Sequence, residues 1–211
     1  AKYFDSEYRK LQRSRYGIQE NEIVLGLMPG SRRGELKNLL PQELRVAAKI
    51  LKKHDHVKLL ILCAPTIDKE QILGYMEDFR LPFLLIKHDP YEMINLTDMI
   101  LAASGTATLM VGLLEKPMII IYRMNLVTAF FARKLIKGYF GLVNLILGEM
   151  AVPERFQWEL KDKELISILD QWITHPETQK PVINKLHQIV TKLGDRGATE
   201  RVSHILLGYL R

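Results

Sequence analysis

Short apolar runs recur along this chain at intervals that leave room for one helix between each pair. Ile23–Met28, residues 57–63, 83–86, 99–102 and Met118–Tyr122 are apolar over four to seven positions, the length of a strand rather than a helix. Between them, residues 41–53, 69–77, 91–96 and 106–114 carry helical patterns. Strands with nearly continuous apolar character are buried on both faces, so the alternation predicts an α/β fold: a Rossmann-like, doubly wound parallel sheet of five strands. Beyond Tyr122 the pattern is helical. Helices are expected over 126–136, 163–173 and 181–193, with a glycine-punctuated stretch at 138–148, a break at 194–197 and a last helix at 198–210. Residues 7–15 form a helical lead-in. The expected organisation is a lead-in or interdomain linker at 1–20, a ligand-binding domain at 21–193, and a terminal helix at 194–211 that packs on another domain or subunit.

No apolar run reaches the ~20 residues of a membrane-spanning helix. The charged, tyrosine-rich first 17 residues do not read as a signal peptide. Cys63 stands alone, which excludes an internal disulfide and favours a cytosolic setting; within its apolar run it reads as a buried strand residue rather than a nucleophile. The net charge of +6 points to an anionic partner. The basic residues are dispersed and no nucleic-acid motif occurs, so nucleic acid is not the expected partner. A phosphorylated substrate or an acidic membrane surface remains.

In such a sheet, ligands bind beyond the carboxyl ends of the strands. Two loops there stand out. In the first, Met28-Pro29-Gly30-Ser31-Arg32-Arg33-Gly34-Glu35, Gly30 permits close backbone approach, Ser31 offers a hydroxyl, and Arg32 offers a fork of donors suited to phosphate. In the second, Ser104, Gly105, Thr106, Ala107 and Thr108 open a helix directly after a strand, where exposed amides and the helix dipole favour an anion. Each loop also has a plain structural reading, as solvated arginines and as an ordinary helix cap. Together, at one sheet edge, they favour a phosphate-bearing ligand. Neither is a Walker or GxGxxG motif, so no dinucleotide cofactor is expected. No metal is expected either: His88 has no ligand partner in spacing, and the pair His54 and His56, in a lysine-rich turn, reads as surface.

These motifs, in order, resemble those of the lipid-A-disaccharide synthases. Pro29-Gly30-Ser31-Arg32 with Glu35 resembles their PGSRxxE, residues 103–109 their ASGTATL, and Pro117-Met118 with Tyr122-Arg123 their PMVVxYR. Asn144, Gly148, Pro153, Glu154 and Gln157 resemble their PNxxxG and PExxQ elements, and Gly197-Ala198-Thr199-Glu200-Arg201 their closing GASER. The resemblance runs from about Tyr16 to the end. It implies the C-terminal half of a glycosyltransferase-B fold and an inverting, metal-independent transfer. The donor would be UDP-2,3-diacylglucosamine and the acceptor 2,3-diacylglucosamine 1-phosphate (lipid X), with UDP released at the cytoplasmic face of the inner membrane of Gram-negative bacteria. Carried over, Arg32 faces donor phosphate together with Gly30 and Ser31, and residues 104–108 cradle the diphosphate. Ile86 and Lys87 border the uracil, and Asn144, Glu154 and Gln157 line the donor pocket.

The chain departs from the family pattern where Met110 replaces a usual glutamate that holds the ribose hydroxyls, where Val143 replaces proline, and where Glu149 replaces arginine. The resemblance also implies a preceding domain that holds the acceptor site and the catalytic carboxylate. This chain is therefore expected to be a donor-binding half, inactive alone, with a second copy as a candidate partner. Two alternatives are another UDP-sugar transferase or epimerase of the same fold, and a decayed domain kept for assembly or membrane docking. Residues 122–140 bear on the second. Arg133, Lys134 and Lys137 cluster on one side of a helical wheel, with Leu126 and Phe130 among them. That pattern suits a core helix with a solvated basic face or an interfacial segment equally.

Overall fold

The computed structural model describes residues 2–123, 138–194, 197 and 202–203. Helix α1 (Ser6–Arg15) leads into β1 (Ile23–Met28), α2 (Arg33–Lys53), β2 (Val57–Leu62), α3 (Lys69–Phe79), β3 (Leu84–Ile86), α4 (Pro90–Leu96), β4 (Met99–Ala103), α5 (Ala107–Leu113) and β5 (Met118–Tyr122). Then follow α6 (Leu142–Leu147), β6 (Glu154–Phe156), α7 (Asp162–Thr174), α8 (Lys180–Leu186) and α9 (Ile189–Leu193). The strands form one parallel sheet in the order β3-β2-β1-β4-β5-β6. This is the expected Rossmann-like architecture with one strand more than the five expected.

Alternation along each strand builds two cores, because successive side chains point to opposite faces. Leu25, Leu27, Leu59, Ile61, Leu101 and Ile119 face α2, α3 and α7. Val24, Leu60, Leu62, Ile100, Met118 and Ile120 face α4, α5, α6 and the last helices. Gly26, in the middle of β1, is needed for this packing: a Cβ there would lie 2.8 Å from Thr97 Cγ2 and 3.0 Å from Leu62 Cδ1.

The sixth strand pairs Ile120 with Glu154 and Tyr122 with Phe156. Helix α2 begins at Arg33 and runs through Pro41, whereas the sequence pattern placed its start at 41. Proline removes one amide from the helical ladder. The helix tolerates this because Leu36, Leu39, Leu40 and Leu44 are all buried on its inner face. A helix, α6, occupies the glycine-punctuated stretch, and the helix expected over 181–193 is divided into α8 and α9 near His187. The expected helix at 126–136 and the basic–apolar segment around it lie outside the described residues. So does the terminal helix at 198–210, apart from Val202 and Ser203, and all of the closing motif except Gly197. No helix among the described residues is long and apolar enough to cross a membrane.

Candidate functional site

Strands β1 and β4 are neighbours, and their following helices, α2 and α5, lie on opposite faces of the sheet. The order of connection therefore reverses between them, which opens a crevice at their carboxyl ends. After Met28 the chain turns at Gly30, whose φ of +109° is a backbone state that side-chain-bearing residues rarely adopt. A Cβ at Gly30 would also collide with the Glu35 carboxylate and lie 2.7 Å from Glu35 Cβ. That carboxylate accepts the Ser31 N–H at 2.9 Å, and the Thr66 hydroxyl donates to the Ser31 carbonyl at 2.6 Å. Ser31 is thus held from both sides of its peptide. Arg32, the residue capping α2, has a side chain 83% exposed, with Glu35 3.7 Å away.

Across the crevice, Ser104 completes the sheet ladder through its N–H to Ile121 O. Its hydroxyl donates to the Phe140 carbonyl at 3.4 Å, and the buried Thr108 hydroxyl turns back onto Gly105 O at 2.7 Å. No side chain caps α5. The hydroxyls of this loop therefore do not serve the capping role that an ordinary helix start would give them. The first amides of any helix lack intrahelical acceptors, and here the residues that carry them, Gly105, Thr106 and Ala107, line the crevice.

The crevice holds about 450 Å³. Its lining includes Gly30, Ser31, Arg32, Glu35, Ser104, Gly105 and Thr106 as well as the apolar Met28, Leu62, Met93, Ile94 and Met110. Pro65, Pro90 and Tyr122 also line it, and the sequence reading missed them. Pro65 and Thr66 follow the carboxyl end of β2, so the strand-end rule that singled out the other two loops applies to them as well.

The remaining expected site residues sit elsewhere. Ile86 is buried at the end of β3, and the Lys87 ammonium donates to Ile67 O at 2.9 Å, tying the loop after β3 to that after β2. Neither lines the crevice. Asn144 is fully buried: its Oδ1 accepts from Ala151 N and Val152 N, and its Nδ2 donates to Val152 O. Its amide is committed to clamping the loop before β6. Glu154 is also buried and accepts from Gly141 N at 2.8 Å and Phe140 N at 3.2 Å. It holds the turn whose Phe140 carbonyl receives Ser104, so it supports the crevice from behind. Gln157 lies in the turn after β6, with φ +48°, away from the crevice wall.

Two further expectations are resolved. Cys63 is buried, and burial pushes its thiol up from the ordinary value, in keeping with a structural residue. His54 is not a surface residue: it is 8% exposed and pairs with Asp170 at 2.7 Å. Its position at the end of α2, against α7, explains the difference. Among the described residues no three His, Cys, Asp or Glu side chains gather as a metal site.

The family model for lipid-A-disaccharide synthetase matches residues 2–203. The lipid-A-disaccharide synthase of Myxococcus xanthus (strain DK1622) is 30% identical over 200 residues, covering 94% of this chain and 52% of that protein. Its counterpart in Nitrosococcus oceani is 32% identical over 188 residues, covering 89% and 48%. The chain spans about half the length of the curated relatives it matches. Among solved structures, S. aureus MnaA with UDP aligns at a TM-score of 0.60 with 10% identity, covering 99% of this chain and 51% of that one. WaaG, a glycosyltransferase involved in lipopolysaccharide biosynthesis, aligns at 0.56 with 14% identity, covering 86% and 46%. At such identities the likeness is one of fold.

Proposed function

This chain belongs to the lipid-A-disaccharide synthetase family, and from that premise we propose that its crevice binds the UDP-sugar donor of a glycosyltransferase. The observation that carries the reading is the pairing of two prepared loops across one crevice. Ser31 is pinned by Glu35 and Thr66 beside an exposed Arg32, opposite the uncapped start of α5 at Ser104–Ala107. The donor diphosphate lies between them. Arg32 supplies a planar fork of charged donors and the α5 amides supply neutral ones.

In the proposed reaction, a hydroxyl of 2,3-diacylglucosamine 1-phosphate attacks the anomeric carbon of UDP-2,3-diacylglucosamine. The bond to the diphosphate breaks on the opposite face, which inverts the centre. Negative charge gathers on the departing UDP, where Arg32 and the amides stabilise it without a metal. The proton of the attacking hydroxyl passes to a carboxylate of the acceptor-binding domain that the family resemblance implies. The substrates are acylated, so the work takes place at the cytoplasmic face of the inner membrane, and the net charge of +6 suits an anionic surface.

Isothermal titration with UDP tests the reading. UDP binds the parent chain, and Arg32→Ala weakens binding by ~1.5–3 kcal/mol, the worth of a hydrogen bond to a charged group. Equal affinity in parent and variant would remove Arg32 from the site. No binding by the parent would remove the donor assignment.

A further inference from the structure

We infer that Lys116 is a modification site, a reactive amine at the amino ends of the strands that captures carbon dioxide as a carbamate. It lies at the opposite edge of the sheet from the donor crevice and is independent of it. Lys116 follows Glu115, whose φ of +54° turns the chain out of α5, and precedes Pro117, which holds it in extended backbone. Its own N–H returns to Val111 O at 3.2 Å, and Ile100 N donates to Pro117 O at 2.9 Å. The side chain therefore leaves a fixed point of the backbone. It lines a cavity of about 360 Å³ with Arg9, Asp98, Met99, Trp172 and Ile183.

The Nζ of Lys116 approaches the Asn95 carbonyl at 3.4 Å, an oxygen already bonded by Arg9 Nε at 2.8 Å. Two cationic groups thus meet at one neutral acceptor. The carboxylates nearby are engaged elsewhere: Asp98 accepts from Arg9, Arg13 and the Val24 N–H, and Glu115 pairs with His187 at 2.7 Å. Among the described residues, no carboxylate comes within ion-pair distance of Lys116 Nζ. Burial first, then Arg9, push the amine down to about 7, with Arg13 adding to the effect and Asp98 opposing it. Near neutral pH about half of it is free amine, against fewer than about one in a thousand of an ordinary lysine. The free amine is the nucleophilic form.

The charge of the cluster selects the electrophile. The amine lone pair attacks the carbon of carbon dioxide, the C–N bond forms as one C=O pair moves onto oxygen, and the nitrogen releases a proton to water. The product, –NH–COO⁻, is an anion where a cation stood, and it gives the two guanidiniums a second carboxylate. Arg9 has a donor for it, since its Nη1 serves none of the described residues. An acyl group would instead leave a neutral amide and the guanidiniums still in excess.

Trapping with triethyloxonium in bicarbonate near neutral pH, followed by peptide mass spectrometry, decides it. In the folded chain the carbamate on Lys116 should exceed that on any other lysine at least about tenfold, and in urea it should fall to their level. The α-amine, which is reactive in any chain, serves as the internal standard in both states. Lys116→Arg keeps the charge and should abolish the matching carbamate resonance in ¹³C-bicarbonate NMR. Should that variant fail to fold, the comparison of folded with unfolded parent stands without it. A folded parent in which Lys116 carries no more carbamate than the other lysines overturns the inference. So does an adduct that survives unfolding unchanged. If trace acetic anhydride singles out Lys116 while carbon dioxide does not, the amine is free but the carbamate assignment falls.

Discussion

Arg13, beneath the amino ends of the strands, and Arg32, at their carboxyl ends, are both guanidiniums beside a carboxylate, yet their side chains are 8% and 83% exposed. Arg13 donates to Leu96 O, to Asp98 and to Glu22 O, while the neighbouring Arg9 donates to Asn95 O, Thr97 O and Asp98. Asp98 in turn accepts the Val24 N–H at 2.7 Å. Through these contacts α1 is fastened to the end of α4 and the start of β1. At the other edge the fixed groups are the backbone of Ser31 and the turn behind Ser104, and the exposed guanidinium of Arg32 has only a long ion pair with Glu35 at 3.7 Å. The net charge of the chain points to an anion without locating it.

Nearby charge at the amino edge follows the same logic. Burial is the largest single influence on Asp98 and acts to raise it, but Arg9, Arg13 and the hydrogen bonds together hold it below the usual carboxylate range. Lys116, whose ammonium lies 3.4 Å from Asn95 O, is pushed down to about 7 by burial first and then by Arg9 and Arg13, against the pull of Asp98. At neutral pH this half-buried lysine is therefore only partly charged.

The largest effect expected is therefore at Asp98. Asp98→Ala takes from the buried Arg13 the carboxylate it is hydrogen-bonded to and should cost ~3–5 kcal/mol of unfolding free energy by denaturant titration. UDP affinity of the folded fraction should not change. Since the folded value of Asp98 is depressed, its stabilisation is present above the unfolded carboxylate range and is lost as pH falls through the folded value. A near-neutral variant would break the contrast between the edges, because the amino-edge network would then be no lock.

Arg32→Ala is the mirror experiment. Its ~1.5–3 kcal/mol should appear in UDP binding, while stability stays within ~0.5 kcal/mol, as for exposed side chains generally. Loss of stability comparable to that of the Asp98 variant would mean that Arg32 is structural after all.

What the sequence could and could not reveal divides along similar lines. Strands β1 and β5 were legible because an apolar run buried on both faces needs no partner to be recognised. The three residues of β6, Glu154-Arg155-Phe156, carry two charges and become a strand only by pairing with β5. The first turns of α2 were hidden by Gly34 and Pro41, which local propensity disfavours and the packed face of the helix overrides. At the site, the two loops were legible from their place at strand ends. The commitments of Asn144 to Val152 and of Thr66 to Ser31 were not, because a hydrogen bond to a backbone that arrives from elsewhere in the fold leaves no trace in local spacing.

Glu43 sharpens the rule by breaking it. It is fully buried on α2, and neither carboxylate oxygen has a hydrogen-bond partner among the described residues. Burial raises its carboxyl well above the ordinary range. The fold thus holds a proton that the unfolded chain releases, so the group's contribution is fully present below the unfolded value and is lost as pH rises toward the folded one. Glu43→Leu should stabilise the chain by ~1–3 kcal/mol, the cost of an unpaired buried polar group. The gain should be larger at pH 7 than at pH 4. Destabilisation at both would mean that the carboxyl has a partner in the folded protein.

The smallest effect tests a carboxylate as exposed as Asp98 but paired with a lysine that is wet, Lys53 being 58% exposed. Asp170 on α7 accepts from Lys53 at 2.6 Å and pairs with His54 at 2.7 Å, with its own side chain 25% exposed. The Lys53 bond, followed by that from His54, lowers its carboxyl from the ordinary range. Water screens such a pair, so Asp170→Asn should cost no more than ~1 kcal/mol, against several at Asp98. The depressed value again places this stabilisation above the unfolded carboxylate range, with loss as pH falls through the folded value. Raising the salt to 1 M, where the screening length is ~3 Å, should remove most of the difference between parent and Asp170→Asn while leaving most of that at Asp98. If salt erased both differences equally, the burial of the cationic partner would not be what separates these two carboxylates, whose own exposures are alike.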